Sequence, residues 1–437
     1  MKSKIISIMD HPPAYDWHAD QPRPAANWDT PAGQWVGISG YDWPDQLGRA
    51  VRAETSEFDY EIWQPDLRAD KIYESALGDG LVHKQFPAVG KKHFYGVKRI
   101  ATVSSPAMTA ELRRQGKNGK VLLHLHGDPL SFREILSSFK EFPIILSYHG
   151  TIKLPLKRLL SRTKNIPSKV NHLFDHFWLR KHINAIDVIT YQTNVQMHDL
   201  RKIYRGELTK LTMGCDFTYW RRADRLVARI EAGLPADKKI FFSASNLTEL
   251  KQIDKMIRVF DALRDKYEFL LIVAGHGSSE YESFLRKISS DLLNKNKLFF
   301  TGYLRNNELL RYYNAADFFL ATSLSEGASV SVMQALACEV PVISTRTGNT
   351  AELMEQNGCG RLLDVYNYGM WKEGLEGILE GKSGVKVMKR ETAQAHYDWP
   401  NIASEVIGIY RELAARSWGP GVSGGAFPSR WARRRSS

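Results

Sequence analysis

From Lys239 onward the chain alternates short, continuous apolar runs with amphipathic stretches. The runs KKIFFSAS, EFLLIVAG, NKLFFTGYL, ADFFLATS, VPVIST and GRLLD are apolar at successive positions, and segments such as IDKMIRVFDALRDKY and EYESFLRKISSDLLN carry apolar residues at helical spacing between them. A strand that is apolar on both faces needs cover on both faces. The pattern therefore predicts a parallel sheet with helices on each side, a doubly wound Rossmann-like α/β domain. The first half repeats this style less regularly, with IISIM, YEIWQP, RIATVS, KVLLHLHG, PIILSYHG and DVITYQT as candidate strands. The stretch from His11 to Tyr41, rich in Pro, Trp and Gly, predicts loops.

Two domains follow from this alternation. Residues 1–216 form the first and residues 217–396 the second, the change falling near LTKLTMGCDFTYW, where a charged helical segment begins. Residues 397–416 read as a kinked terminal helix, and residues 417–437, rich in Gly, Pro, Ser and Arg, as a disordered tail. Ligands of open parallel sheets bind beyond the carboxyl ends of the strands. With the two domains facing across a cleft, the loops at Gly127, Gly150, Ser245, Gly275, Gly302 and Glu326 are expected on its walls.

Length and composition agree: 437 residues with 43% hydrophobic content suffice for two cores of ordinary size. Three cysteines, Cys215, Cys338 and Cys359, lack metal-ligand spacing, which argues against a disulfide scaffold or a zinc site and favours a reducing cytoplasm. The start, MKSKIISIMDHPPAYDW, has too short an apolar run for a signal peptide, and no run approaches the length of a membrane span. The net charge of +12 is concentrated. Residues 152–182 hold Lys153, Lys157, Arg158, Arg162, Lys164, Lys169, Arg180 and Lys181 against Asp175 alone, interleaved with Leu, Phe and Trp. Such a basic, amphipathic stretch fits an anionic membrane surface, and equally a solvated basic face over an ordinary core stripe. It does not fit nucleic acid, whose binders set aromatic residues on an exposed platform.

The run EGASVSVMQALACEVPVIS, Glu326 to Ser344, carries the most chemistry. It follows an apolar strand, turns at Glu326-Gly327, enters a small-residue helix and leaves through Val340-Pro341 into a second strand. That unit aims free N–H groups and the positive end of a helix dipole beyond the first strand, where an anion such as a phosphate is held. The run resembles the donor-binding signature of family 4 glycosyltransferases, in which a Glu, seven residues and a second Glu precede A-M-A-x-G-x-P-V; here Glu326 matches the first acid and Gln334 stands at the second. SNLTELKQ, GHG, FTGYL and the terminal Trp399…YREL resemble the family's other slots, and the likeness runs through residues 210 to 413 and covers the first domain in outline. The resemblance implies a GT-B fold, a terminal helix that recrosses to the first domain, and metal-independent transfer of a sugar from a nucleotide-sugar donor with retention of configuration. No cofactor beyond that donor is expected.

On the same resemblance, Lys251 serves the donor diphosphate and Asn246 occupies a slot where the family has Arg. Glu326 accepts hydrogen bonds from donor-sugar hydroxyls, Ala328, Ser329 and Val330 offer backbone N–H groups, and Gln334 faces the ribose. Gly275 and Gly277 let phosphate and ribose approach the backbone, and Tyr303 and Leu304 cradle the base. His149 contacts the donor sugar, with His126 and Gly40 on the acceptor side. The implied acceptor is lipid-linked or a polysaccharide, used in cell-envelope or exopolysaccharide synthesis at the inner face of the membrane, where the protein is cytoplasmic and peripheral. The alternatives are a binding protein that keeps the cleft and has lost turnover, suggested by Asn246 and Gln334, and a GT-B epimerase.

Overall fold

The computed structural model describes residues 2–9, 43–67, 69–92, 100–149, 166–365, 367–382 and 384–419. The chain divides into two compact units, one of residues 1–191, 198–211 and 400–437, the other of residues 192–197 and 212–399. The chain thus passes into the second unit at Thr212, against Asp216 in the sequence reading.

In the first unit the strands are β1 (Ser3–Met9), β2 (Phe58–Asp66), β3 (Tyr73–Gly78), β4 (Leu81–Pro87), β5 (Val89–Lys92), β6 (Ile100–Ser104), β7 (Val121–His126), β8 (Ile144–Ser147), β9 (Val188–Tyr191) and β10 (Glu207–Lys210). Eight of them form one sheet in the order β10-β9-β8-β7-β1-β2-β4-β3. Its neighbours are parallel except β3, which runs antiparallel to β4. The central strands are buried at every position, as VLLHLH and IILS predict for a sheet covered on both faces. The β3–β4 hairpin escapes the sequence pattern because its strands carry Glu, His, Lys and Gln. It turns on Gly78-Asp79-Gly80, all at positive φ, the conformation that a tight hairpin requires. RIATVS, read above as a candidate strand, is β6 and among the described residues pairs with β5 in a separate two-stranded ribbon.

The second unit contains β11 (Lys239–Ala244), β12 (Phe269–Ala274), β13 (Leu298–Gly302), β14 (Phe318–Ala321), β15 (Val342–Thr345) and β16 (Arg361–Leu363), all parallel, in the order β13-β12-β11-β14-β15-β16. Successive residues of one strand feed opposite cores. Ile240, Phe242, Ile272 and Phe319 pack with Tyr313 and Met333 on one face, whereas Phe241, Leu271 and Val273 pack with Met256 and Phe260 on the other. Each such fully buried side chain contributes roughly 2 kcal/mol by removal from water, so the continuous apolar run is what keeps both helix layers attached. The strand order reverses direction between β11 and β14. At such a switch point neighbouring loops leave toward opposite faces and open a crevice between them.

The terminal helix Trp399–Trp418 groups with the first unit from residue 400 onward. Its Tyr410 is fully buried, with Phe58 edge-on at 5.7 Å. Each unit matches the α/β class read from the pattern. No helix among the described residues is long and apolar enough to cross a membrane.

Candidate active site

Lys251 and Glu326 meet at the switch point of the second unit. Lys251 ends a single turn, Glu249–Lys251, after β11; Glu326 lies in the loop after β14. Two bonds bring these loops together: Thr322 Oγ1 donates to the Lys251 carbonyl at 2.7 Å, and the Leu324 N–H to the Leu250 carbonyl at 2.7 Å. The side chains then pair, Lys251 Nζ donating to Glu326 Oε1. The same carboxylate oxygen accepts from Ser323 Oγ at 2.6 Å.

Behind Glu326 the backbone is fixed by the helix Gly348–Gln356. The Asn349 N–H donates to the Gly327 carbonyl at 2.9 Å, and the Asn349 side chain donates to Thr212 Oγ1. Gly348, at φ +79°, packs so closely that a Cβ there would sit 3.0 Å from the Glu326 Cβ. A side chain at this position would be strained by the backbone conformation and crowded against Glu326. Beyond Glu326, Ser329 is the N-cap of the helix Val330–Ala337, whose small residues pack tightly against the sheet and whose last carbonyl, that of Ala337, accepts from Arg390. Helical pairing begins with the Met333 N–H on the Ser329 carbonyl. The N–H groups of the first turn are therefore left over at the positive dipole end of the helix, next to the loop that carries Glu326, Ala328 and Ser329.

The neighbouring loops complete one wall. The Ser245 N–H donates to the Ala274 carbonyl at 3.1 Å, the Leu247 N–H to the His276 carbonyl at 2.8 Å and the Gly275 N–H to the Gly302 carbonyl at 2.7 Å, so the turns after β11, β12 and β13 lie side by side. This closeness demands glycine. A Cβ on Gly275, at φ +127°, would fall 1.9 Å from the Ser245 carbonyl oxygen, and one on Gly277 would fall 2.0 Å from that of Leu247. Asn246, the residue in the arginine slot, is exposed between them. His276 and Tyr303 face each other with ring centroids 6.0 Å apart, while the Leu304 side chain turns into the core.

Gln334 lies on the same helix as Val330, and Tyr313 Oη lies 3.0 Å from its Oε1 and 2.9 Å from the Ser331 carbonyl. A phenol has one proton for these two acceptors, so Tyr313 both orients the amide and leaves part of its polar capacity unspent. Ser323, Tyr313, Gly348 and Asn349 are contributors that the sequence reading did not identify. Their signal was faint: a Ser three residues before the Glu, and a Thr-Gly-Asn turn after the next strand.

In the first unit three histidines line up at the carboxyl ends of β7 and β8. His124 and His126 have ring centroids 3.8 Å apart, and His126 stacks nearly parallel on His149 at 5.8 Å. His126 pairs across with Met9 of β1, the position where this sheet's strand order also reverses. His124 is a structural residue, its Nδ1 at 2.7 Å from Tyr410 Oη and its Nε2 at 2.7 Å from Ser147 Oγ. Thr190 Oγ1 donates to Ser147 Oγ at 2.9 Å, which leaves Ser147's own proton for Nε2 and assigns the ring N–H to Nδ1. Burial pushes His124 down to about 3 and His149 down to about 4, and lowers His126 well below the ordinary range, with the neighbouring imidazoles adding to the effect on His124 and His126. All three are uncharged at neutral pH. Gly40, the stretch from His11 to Tyr41, and residues 151–165 of the basic segment lie outside the described residues. Among the described residues no three His, Cys, Asp or Glu are grouped as a metal site.

Residues 224–395 match the family described as glycosyl transferases group 1. The chain is 22% identical over 245 residues to a D-inositol 3-phosphate glycosyltransferase of Acidothermus cellulolyticus, covering 53% of this chain and 55% of that protein. It thus spans about half the length of the curated relatives it matches. Among solved structures, a sucrose-phosphate synthase from Thermosynechococcus elongatus aligns at TM-score 0.70 and 17% identity, covering 95% of this chain and all of that one. HepE of Anabaena, in complex with UDP and glucose, aligns at TM-score 0.64 and 14% identity over 93% of this chain and 98% of that one. These whole-chain alignments establish the GT-B fold, and within its second unit residues 224–395 are similar to the group 1 glycosyl transferases.

Proposed function

We propose that this protein transfers a sugar from a nucleotide-sugar donor to a lipid-linked or polysaccharide acceptor, with retention of anomeric configuration and without a bound metal. The carrying observation is the meeting of Lys251, Glu326 and the N-terminus of the helix Val330–Ala337 at the switch point of the second unit. A diphosphate there gains a cation and N–H donors that are already oriented, and the same groups stabilise the charge it acquires as the glycosidic bond breaks. Glu326 accepts from sugar hydroxyls, Gln334 meets the ribose, and Gly275 and Gly277 admit the phosphate and ribose to the backbone. HepE, a structural neighbour, was solved with UDP and with UDP-glucose, which supports a nucleotide-sugar as ligand and UDP-hexoses as the first to try. In the first unit, His149 supplies an uncharged imidazole for a sugar hydroxyl. The departing phosphate, rather than a protein nucleophile, guides same-face attack by the acceptor.

The acceptor reading rests on the basic segment at residues 152–182. Its described part, in the helix Ile166–His182, leaves Leu173, Phe174 and Phe177 exposed, the two phenylalanines at 62% each, with Arg180 and Lys181 exposed beyond them. Asp175 is paired with Arg133 and does not offset them. Apolar rings beside free cations suit an anionic membrane surface, which would hold the protein at the cytoplasmic face during cell-envelope or exopolysaccharide synthesis. Co-sedimentation with anionic vesicles, lost at high salt and in the K153Q/K157Q/R158Q/R162Q variant, is the expected result.

Thermal shift against a panel of nucleotide-sugars, followed by a transfer or donor-hydrolysis assay with whichever raises the Tm, tests the reading. A donor that stabilises and is turned over is expected. A shift without turnover would favour the binding-protein alternative, for which Asn246 in place of Arg and the neutral Gln334 speak. No shift with any nucleotide-sugar would overturn both.

A further inference from the structure

We propose that the Lys251–Glu326 ion pair discriminates the intact nucleotide-sugar from the nucleoside diphosphate left after transfer, and so speeds product release. This rests on the donor-site reading above. The Lys251 ammonium is engaged by Glu326, so an arriving diphosphate must draw it away. The backbones carrying the two side chains are held in place. Thr322 ties the Lys251 carbonyl, Asn349 ties the Gly327 carbonyl, and Gly348 packs against the Glu326 Cβ. Exchange therefore falls to the side chains, which are 27% and 15% exposed.

The two ligands compensate the loss differently. An intact donor brings sugar hydroxyls, whose O–H groups donate to Glu326 in place of the ammonium. Ser323 keeps its bond to the carboxylate throughout. As the glycosidic C–O bond breaks, the electron pair stays on the diphosphate oxygen, the sugar carbon bonds to the acceptor oxygen, and the proton of that acceptor hydroxyl passes by way of the diphosphate to solvent. The product diphosphate is then one negative charge richer on the side toward Glu326, and no hydroxyl stands between the two anions. Returning Lys251 to Glu326 relieves that, so the pair competes against the product more strongly than against the substrate.

Calorimetry with UDP and UDP-glucose on wild type, E326Q, K251M and the double variant tests this as a double-mutant cycle. E326Q removes the competitor, so UDP should bind about fivefold more tightly, the factor expected when a half-buried pair no longer has to be broken. The ratio of UDP to UDP-glucose dissociation constants should fall. In the K251M background the same substitution should have little effect on UDP. E326A, measured alongside with thermal unfolding of every variant, guards against misreading a folding defect. The proposal is overturned if UDP binds E326Q and E326A no more tightly than wild type, or if the tightening persists undiminished with K251M, which would mean plain charge repulsion. If K251M binds UDP as wild type does, the donor-site reading itself is wrong, and the pair's role falls with it.

Discussion

The two units expose the carboxyl ends of their parallel sheets with opposite chemistry. In the first, the position where strand order reverses is occupied by stacked imidazoles kept neutral by burial, of which His124 is tied to the hydroxyls of Ser147 and Tyr410. In the second, the corresponding position holds an ion pair in front of a helix N-terminus. One topology thus yields a site that excludes charge and a site that collects it. The difference comes from a few residues at strand ends, since the sheets beneath both are made from the same continuous apolar runs.

Acid should separate the two most strongly. His124, His149 and also His83, pushed down to about 3 by burial, all lie in the first unit. Their folded pKa values are below the unfolded value, so the unfolded chain takes up protons first as pH falls. The stability they contribute is fully present above pH 6.5 and is lost progressively below it, at up to about 1.4 kcal/mol per pH unit for each. Between pH 7 and pH 5 the first unit should lose on the order of 2 kcal/mol per buried histidine, and more in total than the second. Urea unfolding followed by limited proteolysis at each pH resolves the units. H124Q, which keeps a hydrogen-bonding side chain without the titration, should flatten the first unit's dependence; equal acid sensitivity in both units would break the comparison.

The charged site should fail in a different way. Lys251→Ala should lower kcat/KM by roughly 3 kcal/mol, more than a hundredfold, by removing a preorganised cation from the developing phosphate charge, while leaving the acid profile of the first unit unchanged. Steady-state kinetics with the donor found by thermal shift reads this. Turnover at the wild-type rate would mean that the switch point of the second unit is not where the chemistry occurs.

The smallest effect concerns Gln334. Gln334→Ala should weaken donor binding by about 1 to 2 kcal/mol through a lost, partly buried hydrogen bond, and Gln334→Glu should remain active within about tenfold. Because Tyr313 holds the amide, Tyr313→Phe should produce part of the same loss. Calorimetry that finds Gln334→Ala as tight as wild type would remove this side chain from the ribose.

Much of the second unit was legible because each strand is a continuous apolar run and each loop that matters begins right after one. The first unit was less so. Its β3–β4 hairpin carries polar residues on an edge, and β6 looks like a core strand although among the described residues it pairs with β5 outside the main sheet. For the site, residue types at strand ends were readable, and Lys251, Glu326, Gly275 and Gly277 were singled out through the family resemblance that their flanking motifs carry. Pairings were not. Lys251 and Glu326 are 75 residues apart, and His124 and Tyr410 are 286 apart. Such contacts are decided by strand order, which a hydropathy pattern does not encode. Gly348 and Asn349 went unnoticed for the same reason, since their importance arises only from packing against the turn at Glu326.

The central claim is that the donor binds at the Lys251–Glu326 switch point. Hydrogen exchange with and without saturating UDP-glucose, or the donor that the thermal-shift panel selects, reads it directly, amide by amide. The largest gains in protection are expected in residues 245–251, 275–277 and 326–333, and should disappear in Lys251→Ala at the same ligand concentration. Protection centred elsewhere in the chain, or unchanged by that substitution, would contradict it.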